Sequence, residues 1–199
     1  MGKEQTLMYK EISTIREELS DLQVQYWSLY SDLSTWQFWL MFLLFFMIPL
    51  VSIYFFIDRK HIFQIGFFGF NIHMWLQYID TWALKEGLWG YPYELLPFIP
   101  GNHSLETALI PVLFMYVYQF HMRNTKKFYL YSIGLCVFLG GIFKPILSLH
   151  HLFEFHKQTA FYHIILVYLV VFVFSVVITK LFLFLQTRPS PIHPVEEKG

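Results

Sequence analysis

The sequence predicts an all-α, polytopic membrane helix bundle of about five transmembrane helices, with a long amphipathic heptad helix at the N-terminus. Three observations predict it. Five apolar stretches occupy most of the 199 residues, and the clearest, Leu33 to Ile57, runs 25 residues without Asp, Glu, Lys or Arg. A hydrocarbon core about 30 Å thick needs roughly 20 apolar residues of helix at about 1.5 Å rise each. Hydrophobic residues make up 56% of the chain and charged residues 14%, below the quarter usual for soluble domains, so there is too little charge to coat a water-soluble core. The 23 Phe, 13 Tyr and 6 Trp suit a chain whose aromatic rings sit at membrane interfaces. The expected divisions are an N-terminal helix over 1–35, a transmembrane domain over 36–185, and a disordered C-terminal tail over 186–199.

In the first division the apolar positions are Met8, Ile12, Ile15, Leu19, Leu22, Tyr26, Leu29 and Leu33. Their 4, 3, 4, 3 spacing makes a continuous heptad seam. With Ile12 at an a position, Glu11 falls at g and Arg16 at e, where they meet across a parallel pair. One reading is a homodimeric coiled coil; the other is an amphipathic helix laid on the membrane surface or on the protein's own helices. Only Lys3, Lys10 and Arg16 oppose six acids here, too few for strong attraction to anionic lipid. The opening residues form no short basic and apolar leader, so no cleavable signal is expected.

The first span, about Trp36 to Ile57, continues the same helical phase with no breaker, and Pro49 is expected to kink it. The second runs from about Ile62 to Trp82. A turn-rich connection over 85–106, with Gly87, Gly90, Pro92, Pro97, Pro100 and Gly101, is rich in Trp and Tyr and is expected to hug the interface. Thr107 to Met122 is a short third span of about 24 Å, which must borrow length or thin the bilayer. Phe128 to about Leu149 is the fourth, interrupted by Lys144 and Pro145. Phe161 to Leu185 is the fifth, with Lys180 near enough to its end to snorkel. The proline-rich remainder reads as disordered. Eight of the Lys and Arg gather on one side (Arg59, Lys60, Arg123, Lys126, Lys127, Lys180, Arg188, Lys198) and five on the other. The positive-inside rule then puts the C-terminus in the cytoplasm and the N-terminus outside.

Two polar stripes interrupt the apolar spans. Gly66, Gly69, His73, Gln77 and Asp80 share one face of the second span; Gly141, Lys144, Ser148 and His151 share one face of the fourth. Small residues let helix backbones approach, and polar ones bond across the contact. Counted along the axis, Asp80 and Lys144 reach about 27 and 24 Å, a similar depth. A charge there requires a partner, so an Asp80–Lys144 ion pair is expected. It serves either to fix helix packing or as a titratable site on a transport path.

His150, His151, Glu154 and His156 cluster where the fourth span ends, with ligand-competent side chains but no HExxH spacing. Half-wet interfacial histidines are the expected reading, and no metal or cofactor is assigned. Cys136, the lone cysteine, excludes an intramolecular disulfide and CxxC chemistry and is expected as a small buried hydrophobe. Zero net charge and the lack of a basic patch exclude a nucleic-acid partner. No nucleophile elbow, Walker loop or dinucleotide fingerprint is present, so an enzyme is not expected.

The run Asp80, Leu88-Trp89-Gly90-Tyr91-Pro92, Leu95-Leu96-Pro97, Pro111 and Tyr118-Gln119, followed by Lys144-Pro145-Ile146, resembles a family of small integral membrane proteins of endospore-forming Gram-positive bacteria. The likeness covers about Ile57 to Leu185 and leaves out the heptad helix. It implies a bacterial plasma membrane, a multi-span helical fold and no known substrate. It also removes meaning from the myristoylation pattern at Gly2 and the sequon at Asn102-His103-Ser104. Two function classes follow. One is a non-enzymatic membrane component that assembles with itself or a membrane protein partner through the N-terminal helix. The other is a small-solute or ion transporter whose path between helices two and four is lined by His73, Gln77, Asp80 and Lys144.

Overall fold

A computed structural model describes residues 2–99 and 101–188. Pro100 and the 189–199 part of the expected tail lie outside the described residues. Six helices in chain order carry the fold: α1 (Lys3–Tyr30), α2 (Trp36–Phe56), α3 (Ile62–Lys85), α4 (105–121), α5 (Thr125–Leu149) and α6 (Phe161–Gln186). Three of them, α2, α5 and α6, are long and apolar enough to cross a membrane. In their most apolar 18-residue stretches only 17%, 33% and 39% of residues are buried, so these helices turn most of their apolar side chains outward. The expectation of five spans is met at this level by three. Polar residues facing inward dilute α3, and α4, with about 17 residues, reaches only about 26 Å.

The helical phase does not run unbroken from α1 into α2. The chain turns at 31–35 because its short polar side chains bond their own backbone instead of continuing the helix. Asp32 Oδ1 accepts from Ser34 N at 3.0 Å and from Ser34 Oγ at 2.6 Å. Those bonds hold the Asp32 carboxyl below its ordinary value. Thr35 then caps α2, its hydroxyl accepting from Phe38 N. Leu33 therefore lies beyond the seam-bearing helix, and α1 has no buried residue.

Each of α2, α4 and α5 contains a widened π-helical stretch, over Leu40–Met47, Leu105–Leu109 and Leu139–Phe143. Each is followed directly by a proline at the first turns of the next α-segment: Pro49, Pro111 and Pro145. Proline lacks the backbone donor and crowds the carbonyl four residues back, and a widened turn absorbs that conflict.

α3 packs against α4 and α6, α5 packs against α4 and α6, and the middle of α2 meets the start of α4. Two glycines permit the closest approaches. A Cβ at Gly140 would stand 2.8 Å from the backbone nitrogen of Ile165, and one at Gly69 would stand 2.4 Å from Met115 Sδ. Gly66 and Gly141, expected on the same stripes, have open space or ordinary contact instead. Cys136 is buried.

At one end of the bundle two connections are clasped together by a two-residue antiparallel ladder, β1 (Trp89–Gly90) and β2 (Glu154–Phe155), with Trp89 opposite Phe155. His156 N donates to Leu88 O at 2.9 Å, and Thr159 Oγ1 donates to the same carbonyl at 2.6 Å. At the other end Gln119 joins α4 to α2, accepting from Asp58 N at 2.8 Å and donating to Phe56 O at 2.9 Å.

Candidate functional site

The clasp folds the start of the connection, Trp89 to Tyr91, back into the bundle, while Leu96, Phe98 and Ile99 stay exposed. It drives Trp89 and Tyr91 into the core beside Asp80, near the C-terminal end of α3. Asp80 Oδ1 accepts from Trp89 Nε1 at 2.8 Å and from the Tyr91 hydroxyl at 2.7 Å. Its Oδ2 accepts from Asn102 N at 3.4 Å. That last approach needs Gly101, at φ +111°, because a Cβ there would stand 3.1 Å from Asp80 Oδ2 and 2.9 Å from Gln77 Nε2.

Lys144 does not pair with Asp80 directly. Its Nζ lies 3.6 Å from Glu106 Oε1, both side chains almost fully buried, and donates to the Tyr91 hydroxyl at 3.1 Å. It also stands 4.8 Å over the Tyr91 ring and 4.4 Å over that of Phe153, a favourable seat for a cation. The expected Asp80–Lys144 pair is thus a relay: Lys144 donates to Tyr91, and Tyr91 donates to Asp80. A phenol has one proton, so the 3.5 Å contact from Tyr91 to Glu106 Oε1 is the alternative to the shorter bond with Asp80. Burial, then the flanking Asp80 and Glu106, hold the Tyr91 phenol well above its ordinary value, so it stays a donor.

The remaining stripe residues line up beside this relay. His73 Nδ1 lies 3.0 Å from Glu106 O, and Gln77 Nε2 donates to Thr81 Oγ1 at 3.4 Å. Tyr168 of α6 completes the wall, and its hydroxyl is buried without a hydrogen-bond partner. The space left among Asp80, Tyr91, Glu106, Lys144 and Tyr168 is about 10 Å³, room for at most about one water. Two carboxyls share one ammonium there.

The histidine cluster falls on the clasp. His151 and Glu154 form an exposed pair at 3.5 Å, His150 closes α5 through a bond to Leu147 O, and His156 bonds Leu88 O through its backbone. Among the described residues no group of three or more His, Cys, Asp or Glu is placed to hold a metal.

Glu106, Tyr91, Trp89 and Tyr168 were not marked by sequence reasoning. Glu106 read as the last acid of a loop, and the aromatic residues of the connection read as interfacial. One signal pointed to two of them: within Leu88-Trp89-Gly90-Tyr91-Pro92, Trp89 and Tyr91 alone carry a side-chain N–H or O–H. A second acid, Glu94, lies outside the relay where α1 meets the connection. Trp27 Nε1 donates to Glu94 O at 2.9 Å and Glu94 N donates to Ser31 Oγ at 3.1 Å. No protein-family model, no curated protein and no solved structure matches this chain.

Proposed function

We propose that this chain is a multi-pass membrane component, without enzymatic activity, that assembles as a parallel homodimer through α1. One observation carries the reading. A 28-residue helix with no buried residue leaves Met8, Ile12, Ile15, Leu19, Leu22, Tyr26 and Leu29 all exposed along a single heptad seam. An apolar stripe of that length wants a partner. A second copy supplies one with matched charge, since Glu11 of each helix faces Arg16 of the other across a parallel pair. The bonds from Trp27 and to Ser31 fix the root of α1 on the connection, so that the helix projects in a set direction.

In this reading α3 and α4 cross the bilayer with α2, α5 and α6. Toward lipid, α3 turns Ile62, Phe63, Phe70, Tyr78 and Trp82 outward and α4 turns Phe120. With the larger group of Lys and Arg taken as cytoplasmic, α1 and the clasp lie outside in this reading. The relay around Tyr91 then acts as a lock that fixes α3, α4 and α5 in one arrangement.

The test uses full-length protein in membranes. Cysteine at Ile15, on the seam, is expected to cross-link rapidly into a covalent dimer, while cysteine at Glu17, on the opposite face, is not. Equal cross-linking at both positions, or none at Ile15, overturns the dimer. Ile12→Glu with Ile15→Glu is expected to give a folded monomer by mass.

A second reading, a proton or small-cation carrier, is favoured by a different observation. Tyr168, Ser175 and Thr179 share a buried face of α6, and their hydroxyls have no partner. They extend from the relay toward the other end of the bundle, a row that water could join. Proton flux into liposomes that depends on Asp80, lost in Asp80→Asn, decides for this reading.

A further inference from the structure

We propose that the cavity at the root of α1 is a binding site for an organic ammonium group, with the Glu94 carboxyl as its counter-ion and Tyr26, Trp27 and Tyr91 as its aromatic wall. The cavity has a volume of about 230 Å³ and is lined by those four residues together with Gln23 and Leu22. That is far above the ~10–15 Å³ that admits one water.

The backbone of Glu94 is already committed. Its carbonyl accepts from Trp27 Nε1 and its amide donates to Ser31 Oγ, which fixes where the side chain starts. Its carboxyl makes no hydrogen bond or ion pair among the described residues. Burial pushes that carboxyl up to about 8, and the charge of Asp80 adds to the push. Positive charge is short throughout this end of the bundle. Asp80, Glu94 and Glu106 interact electrostatically, and Lys144 is the one ammonium within 4 Å of any of them among the described residues.

The wall selects the kind of cation. A small hard ion requires six or more oxygen ligands, charged ones foremost, and this cavity offers a single carboxyl beside one carboxamide and the hydroxyls of Ser31, Tyr26 and Tyr91. Aromatic faces favour a large, weakly hydrated organic cation instead. Tyr91 already carries one ammonium over its ring, where Lys144 Nζ stands 4.8 Å from the centroid. The ligand chemistry is therefore an alkylammonium, either a free amine or the headgroup of an aminophospholipid.

The inference does not depend on the dimer, although Leu19, Leu22 and Tyr26 belong to both the seam and the cavity. Full-length protein in maltoside micelles is titrated calorimetrically above about pH 8, where the Glu94 carboxyl is ionised, with tetramethylammonium chloride, and with sodium chloride as the control. Saturable binding is expected for the first salt alone. Glu94→Gln is expected to weaken it by about tenfold or more, the scale of one lost charge contact. Tyr26→Leu, which keeps the seam apolar, is expected to weaken it severalfold. Melting curves and the Ile15 cross-link report whether each variant still folds and assembles, so a lost dimer and a lost site are told apart. Nanodiscs of phosphatidylglycerol with and without phosphatidylethanolamine separate the sources. A headgroup ligand abolishes the tetramethylammonium heat when phosphatidylethanolamine is present, whereas a free amine leaves it unchanged. No saturable binding in micelles, equal binding of sodium, or binding unaltered in both variants overturns the proposal.

Discussion

Two of the ion pairs among the described residues differ in the opposite sense from what their lengths suggest. His61 and Asp58, at the turn between α2 and α3, are 2.7 Å apart with side chains 46% and 39% exposed. Lys144 and Glu106 are 3.6 Å apart with side chains 2% and 3% exposed. The short pair sits in water, where Coulomb energy is screened and ordering two side chains cancels most of the gain. The long pair sits where neither charge can recover its hydration, so what matters is the cost of leaving one alone. Distance measures geometry; the surroundings decide the energy.

The largest expected effect tests that statement directly. Lys144→Met leaves Glu106 and Asp80 buried without a cation and is expected to destabilise the protein by about 3–5 kcal/mol, read from denaturant or thermal unfolding in detergent. Adding Glu106→Gln to it is expected to restore much of the loss. A double variant as unstable as the single would show that the pair is not what the lysine contributes. Gly140→Ala serves as the packing control: it places a methyl against the backbone of Ile165 and is expected to cost about 1–3 kcal/mol with no rescue from Glu106→Gln. Tyr91→Phe removes the hydroxyl through which Lys144 and Asp80 communicate and is expected to cost about 1–3 kcal/mol.

Smaller effects appear as pH dependence. Between the ordinary glutamate value of 4.5 and about 8, the folded chain holds a proton on Glu94 that the unfolded chain has released. Stability from this group therefore falls as pH rises through that window and levels off above it. Glu94→Gln is expected to flatten the slope in a series of melts. Asp58 behaves with the opposite sign. Its bonds from His61 and from Lys60 N hold its carboxyl below the ordinary value, so its contribution is present above that value and is lost as pH falls through the lowered one. Asp58→Asn is expected to leave the melting midpoint at neutral pH nearly unchanged; a large drop there would erase the contrast between the two pairs.

How far the sequence was legible follows from what periodicity encodes. Counting residues along a helix gives depth, and depth alone brought Asp80 and Lys144 to the same level. It gives no direction around the axis once the repeat is broken, and the π stretch before Pro145 breaks it, which is why Gly140 rather than Gly141 makes the close contact with α6. The helix of α1 was legible because no proline or glycine interrupts it before Ser31. The turn at 31–35 was missed because Ser, Asp and Thr there stop a helix through side-chain bonds, not through a proline or glycine. Glu106, Trp89 and Tyr91 were missed for a different reason. A connection that folds back into a bundle has no repeat to announce it, and aromatic residues rich in surface look the same whether they line an interface or donate to a buried carboxylate.

The widened turn over Leu139–Phe143 has one more consequence. A π stretch holds one residue more than the α-helical turns it replaces, and one residue amounts to about 100° of rotation. Were α5 to wind regularly with all its residues kept, everything from Lys144 onward would swing by that angle and the ammonium would leave the Tyr91 ring, whereas deleting Gly141 would let the stretch become regular with Lys144 still in place. The register of a single helix thus behaves as a dial, and the wide turn is the notch at which it is set.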